Sequence, residues 1–207
     1  MKKSEAEDLL NKADELHKLV RLSGMTYLPL HSDVAFAIKQ WRSDSSSQFW
    51  CRTAIRCICA AVEAKLFSFR KMAEKMIILS GIQFESKEIE ILTEKRTVEQ
   101  NGIQTVRPKY FALPDSVKES FRLFARVAGS TVNVDYGNGL LDLRKTFDVR
   151  NRLMHPKQPF DVHITSEDIN TPDQGIIWFD KTCTSVIDQC NAHFSRNIEF
   201  EKARLNK

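Results

Sequence analysis

Arg150, Asn151 and His155 are the residues of this chain whose types and spacing could do chemistry together. A histidine takes up or gives away a proton near neutral pH. An arginine grips a phosphate with paired donors, and an asparagine can orient an imidazole or donate to an oxyanion. All three lie in Asp148–Pro156, DVRNRLMHP, closing the run Gly139–Met154, whose pattern predicts a helix. At about 100° per residue, Leu143, Phe147 and Met154 form an apolar stripe with Arg150 between Phe147 and Met154. Arg144, Asp148, Asn151 and His155 share a second, polar stripe, so Asn151 and His155 are within reach of each other. Arg150 then stands at the border of the packed face, where a permanent charge is unfavourable unless an anion meets it. Pro156 stops the helix directly after His155 and leaves the imidazole at an exposed end.

Such a set suits cleavage of RNA without a metal. A base must take the proton of a ribose 2′-hydroxyl, an acid must protonate the leaving 5′-oxygen, and cations must stabilise the phosphorane. His155 suits either proton role, Arg150 can hold the phosphate, and Asn151 can hold the ring or donate to a phosphate oxygen. One histidine does not conveniently serve as both base and acid for in-line attack.

RNRLMH resembles the RNxxxH motif of the HEPN superfamily, small all-α domains whose active members use it as a ribonuclease site. Arg150, Asn151 and His155 stand at the family's Arg, polar and His positions, and the resemblance covers roughly residues 47–196. It implies a homodimer in which two motifs share one cleft, so that each histidine takes one proton role. It also implies an RNA substrate, metal-independent endoribonuclease chemistry without a cofactor, and products ending in 2′,3′-cyclic phosphate and 5′-hydroxyl. Prokaryotic proteins of this kind often act as toxins or in phage defence, which would bring an antitoxin or other regulatory protein as partner. Two other readings stay open. The chain is then a catalytically inactive HEPN relative, acting as an RNA- or nucleotide-binding or protein-interaction module. Alternatively, Arg150 is a structural arginine paired with Asp148, Glu63 or a backbone carbonyl, and His155 is a cation answering the helix dipole.

The elements that must position these residues are helical. Gln48–Ser80 carries Ile55, Ile58, Val62, Leu66, Phe69, Met72 and Met76 at steps of three and four, a wide core-facing stripe. Another face carries Arg52, Arg56, Glu63 and Arg70. As a solvated face these residues only pair with one another. As a functional one, Arg52 and Arg56, with Arg152 and Lys157 beside the motif, hold RNA, while Glu63 and Asp148 orient the site. HEPN domains pack these two helices together. Ahead of them, Ser4–Leu22 reads as a helix with a Ser4–Glu7 capping box, Tyr27–Pro29 as a connector, His31–Trp41 as a short helix and Ser43–Ser47 as a loop. Ser86–Thr93 continues helical.

Lys95–Ala112 breaks the pattern. Asn101-Gly102 between TVEQ and IQTV predicts a β-hairpin inserted into a helical protein, with Lys95, Arg96, Arg107 and Lys109 making it the most basic loop. Pro114–Ala128 reads as a short helix with Phe121, Phe124 and Val127 inward, followed by a loop, Ser130–Gly139. After the motif, Pro156–Asp161 reads as extended, Thr165-x-x-Asp168 as a helix start, and Asp173–Phe200 as the last helix. The whole is therefore expected to be all-α, a HEPN-like bundle with one hairpin near residues 95–112. Residues 1–42 are expected to be a helical extension packed on the bundle, 43–200 the domain, and 201–207 a fraying polar tail.

Composition bounds the rest. The chain has 207 residues and a net charge of +4, mildly basic and compatible with an RNA partner without demanding one. No apolar run of about 18 residues occurs, and MKKSEAEDLL lacks a secretory core, so a cytoplasmic protein is expected. The five cysteines, Cys51, Cys57, Cys59, Cys183 and Cys190, sit beside apolar residues without zinc spacing and read as reduced core thiols. No metal site is expected: His155 has no partner at ligand spacing, Asp161 and His163 are only two ligands, and His17, His31 and His193 stand singly. No glycine-rich phosphate loop occurs.

Overall fold

The computed structural model describes Asn11, Lys18, residues 27–80 and residues 82–205. It is mostly helical with one small antiparallel hairpin, as the periodicities predict. In order come α1 (residues 27–43), α2 (Gln48–Ser80), α3 (Ser86–Thr93), β1 (Lys95–Gln100) and β2 (Ile103–Pro108). Then follow α4 (Leu113–Val127), α5 (Gly137–Met154), a 3-10 turn (Pro159–Val162), α6 (Ser166–Ile169) and α7 (Pro172–Leu205). The expected Ser4–Leu22 helix lies outside the described residues except at Asn11 and Lys18, both of which are helical. Two compact units form, one from residues 27–65 and 134–185, the other from residues 66–80, 82–133 and 186–205.

The first unit holds the RNRLMH motif. Val34, Ala37 and Trp41 recur at helical steps and give α1 its buried side. Tyr27–Pro29, expected as a connector, belongs to this helix. The proline ring fixes a φ that is itself helical, so it does not break the turn. Asp44–Ser47 is the expected loop, and the Ser47 hydroxyl accepts the Trp50 amide at 3.4 Å to cap α2. Ala37, Trp41, Cys51, Ala54, Ile55, Val149, Leu153 and Ile164 then close one core. Burying a side chain such as Leu153 stabilises by about 2 kcal/mol.

In the second unit Phe69 of α2 meets Phe121 and Phe124 of α4 edge to face, at 5.3 and 4.9 Å between ring centres. Arg70, expected on the exposed charged face of α2, is instead buried. Its guanidinium donates to the hydroxyls of Ser116 and Ser120 and to the Glu94 carboxylate at 2.7 Å. Those three acceptors come from distant parts of the chain, so no local pattern announces them. Burial pushes the Arg70 pKa down, although Glu94 opposes the shift. Glu88 is buried against Arg126 and, 3.1 Å away, Arg122. Gly129, at φ +70°, ends α4: its amide bonds to Arg126 O and that of Ser130 to Ala125 O, the paired bonds of a glycine-terminated helix. The hairpin turns at Asn101 and Gly102, both at positive φ, which is why this dipeptide marks it.

Two further expectations are corrected. The last helix, expected to end at Phe200, runs through Leu205, because EKARL is built from good helix formers. Pro156–Asp161, expected as extended, enters a 3-10 turn at Pro159, where the Asp161 carboxylate takes the Lys157 and Gln158 amides at 2.6 and 2.9 Å. Those two donors hold the exposed Asp161 carboxyl below the usual carboxylate range.

Candidate functional site

Helix α5 is set in place by close backbone approach as well as by its apolar face. Gly175 of α7 lies against Leu143, so that a Cβ there would stand 2.9 Å from the Leu143 amide nitrogen. Gly139 lies under Trp178, where a Cβ would fall 2.0 Å from the indole Cγ. The same indole donates to Asp135 O at 3.0 Å, fixing the entry to α5. Sequence periodicity cannot reveal such approaches, because a glycine inside a helical pattern carries no record of which backbone faces it.

The buried face of α5 is Leu140, Leu143, Thr146, Phe147, Val149 and Leu153. Met154, expected on the apolar stripe, is 52% exposed. The last turn meets Trp41, Ile55 and Ile164 on its Val149–Leu153 side, so the stripe shifts by one residue and Met154 faces outward. Arg150 keeps its expected border position, half-buried beside Phe147, with the guanidinium 5.1 Å from that ring's centre. It pairs with the Glu63 carboxylate of α2. It also lies next to Cys59, whose thiol burial pushes up to about 12 although Arg150 opposes the shift.

Asn151 and His155 are both exposed. Their backbones are joined by the last helical bond, His155 N–H to Asn151 O at 3.1 Å, and His155 leaves the helix at φ −131°, ψ 57°. Among the described residues no side-chain hydrogen bond engages either of them, and none joins them to Arg150. The motif therefore divides into an anchored arginine facing Glu63 and a polar pair open to solvent. Asp148 and Arg144 on the same polar stripe are exposed as well.

The basic residues around the motif differ in how far they are committed. Arg52 donates to Val162 O at 3.2 Å, and Arg152 pairs with Asp168 at 2.6 Å. Arg56 is exposed, and the exposed Lys157 is engaged through its backbone amide. Asp168 holds Arg152 while also accepting the Thr165 amide at 2.9 Å in the capping box that starts α6. Burial raises the Asp168 pKa, but the Thr165 amide and Arg152 outweigh it and leave the carboxyl below the usual range.

Gln48 straps the segment after the motif to α2 with two bonds: its amide donates to Ile164 O at 2.9 Å and accepts Ile164 N–H at 2.7 Å. Neither this strap nor the Arg152–Asp168 pair was legible in sequence, though the Thr165-x-x-Asp168 cap beside it was.

A second polar group in the same unit joins Tyr27, which donates to Asp180 at 2.6 Å, to His31, 3.3 Å from the other oxygen of that carboxylate. Four of the cysteines are buried and Cys57 is half-buried, none in a disulfide, as expected of core thiols. Among the described residues, no three His, Cys, Asp or Glu side chains are grouped to hold a metal ion, and no helix is long and apolar enough to cross a membrane. No protein-family model, curated protein or solved structure matches the chain.

Proposed function

We propose that this protein is a metal-independent endoribonuclease of HEPN type, acting at a composite site in which two copies of the chain each contribute Arg150, Asn151 and His155. The observation that carries the reading is the exposed Asn151–His155 pair at the end of α5, uncommitted among the described residues, beside an arginine anchored by Glu63. In the reaction one His155 removes the proton of a 2′-hydroxyl, and the 2′-oxygen forms a bond to phosphorus. The bond from phosphorus to the 5′-oxygen breaks, and the partner copy's imidazolium gives that oxygen its proton. Arg150, preset by Glu63 and Phe147, needs only to swing part of its fork to a non-bridging oxygen. Arg56 and Lys157 are the least committed cations for holding the flanking RNA, with Arg52 and Arg152 behind them. Toxicity, or a part in phage defence under control of a partner protein, would follow from such an activity.

The Arg150–Glu63 pair equally favours a second reading, in which Arg150 is structural and the domain binds RNA without cutting it. Labelled single-stranded RNA incubated in excess EDTA with the wild type and with His155→Ala separates the two. Cleavage by the wild type alone, leaving cyclic-phosphate ends, is expected. Intact RNA that stays bound to both proteins refutes cleavage and leaves the binding module.

A further inference from the structure

The β1–β2 hairpin takes no part in the chemistry at His155, and its construction calls for another explanation. Its root is clamped. Glu94, in the left-handed region at φ 53°, accepts the Lys109 amide at 2.8 Å through its carbonyl. Its carboxylate is held by the buried Arg70, and Lys109 Nζ pairs with Glu90 at 2.7 Å. Beyond the root the ribbon is bare: every residue of β2 is exposed, and in β1 only Val98 is half-buried. A two-stranded hairpin gains little stability of its own, so a rigid root carrying an uncovered ribbon is arranged for presentation rather than for packing.

The charge arrangement says what would be presented to it. The register sets Arg96 directly opposite Arg107, and alternation puts Val98, Gln100, Ile103 and Thr105 on the same face. No carboxylate stands on that face, since Glu99 pairs with Gln104 on the other. Glu90 and Glu94 at the root are already committed to Lys109 and Arg70. Among the described residues, the Arg107 guanidinium reaches only the Gln100 amide oxygen, at 3.5 Å. Like charges directly opposite each other weaken a hairpin, so this pair works against the element that carries it. Two guanidinium forks side by side on an acid-free face match phosphodiester oxygens, each able to accept paired donors.

We propose that the hairpin is an arm that binds the phosphate backbone of a nucleic acid through Arg96 and Arg107. The arm requires a nucleic-acid partner but no cleavage, so it stands or falls separately from the chemistry assigned to His155.

The test is equilibrium binding by fluorescence anisotropy over a series of salt concentrations. Wild-type protein is titrated onto a labelled DNA, which has no 2′-hydroxyl to react, and the full-length His155→Ala protein onto labelled polyuridine RNA. Arg96→Gln/Arg107→Gln should weaken both complexes about tenfold at low salt. It should also flatten the dependence of log K on log salt by about 1.4 for single strands or 1.8 for duplex DNA, two phosphate contacts' worth. The melting temperature should stay level or rise, because the opposed charges are gone.

Lys39→Gln/Lys181→Gln, which removes the same charge from exposed lysines elsewhere, should leave binding nearly unchanged. Equal weakening by that control, an unchanged salt slope, a lowered melting temperature in the arginine variant, or no binding by the parent proteins would each overturn the proposal. Weakening on RNA alone would assign the arm to RNA, and weakening on both would assign it to the shared backbone. Loss of binding together with absence of any cleavage would keep the arm and remove the nuclease.

Discussion

Arg150→Met, measured beside Glu63→Gln and the double variant, asks whether the motif arginine holds the fold or serves the site. Methionine retains the apolar stem and removes the charge. The Arg150 side chain is 25% exposed and that of Glu63 is 56% exposed, so water screens the pair heavily. Two unit charges at contact attract by roughly 4 kcal/mol at an effective dielectric of 20. Screening and the ordering of two long side chains reduce such half-open pairs to about 0.2–1 kcal/mol. The contact with Phe147 at 5.1 Å adds about 0.5–1 kcal/mol. Arg150→Met should therefore destabilise by about 1–2 kcal/mol in all, a fall of roughly 2–8 °C in Tm for a chain of this size. The coupling between Arg150 and Glu63 across the four proteins should be about 0.5–1 kcal/mol. Thermal unfolding followed by circular dichroism gives both numbers, and RNA cleavage by the same four proteins should fall far more than stability does. A loss of about 3–5 kcal/mol in the single variant would show a buried charge stranded without its partner. The arginine would then be structural, and the assignment to phosphate would fail. Zero coupling would show that Glu63 does not preset it.

Two other perturbations reach the supports of the fold and the site. Gly175→Ala drives a Cβ to 2.9 Å from the Leu143 backbone, which cannot give way as a flexible side chain would. It should destabilise by about 1–3 kcal/mol and displace α5, so cleavage should fall in step with Tm; an unchanged Tm would refute the close approach. Burial raises the Glu88 pKa, but the Arg126 hydrogen bond, the Glu85 amide and Arg122 outweigh it, leaving the folded value lowered. The stability this carboxylate contributes is thus present above its unfolded pKa of about 4.3 and is lost as pH falls through the lower folded value. Wild-type Tm should drop from about pH 5 to pH 3. Glu88→Gln should sit lower by about 1–2 kcal/mol at pH 7, since both arginines are partly exposed and rehydrate. Its acid limb should be shallower, and an equally steep one would assign the acid loss to other carboxylates.

What the sequence determined is what near neighbours along the chain decide. The span of α2, the Asn101-Gly102 turn and the Thr165–Asp168 cap follow from repeat, backbone preference and short-range hydrogen bonds. So does the exposure of Asn151 and His155, because Pro156 ends the helix and the polar stripe has a helical period. Sequence narrowed the partners of Arg150 to Asp148, Glu63 or a carbonyl, and only packing selected Glu63. Tertiary structure alone decided that Arg70, about five turns along the same helix as Arg52, is drawn inside, because Ser116, Ser120 and Glu94 arrive from elsewhere to satisfy it. It decided that Met154 faces solvent while Leu153 packs, because the core beside the last turn of α5 lies on one side only. Helical period states which residues share a face. Which face finds a partner, and whether a charge there is met, depends on contacts between segments far apart in the chain, from Arg70 with Glu94, 24 residues on, to Gln48 with Ile164, 116 residues on.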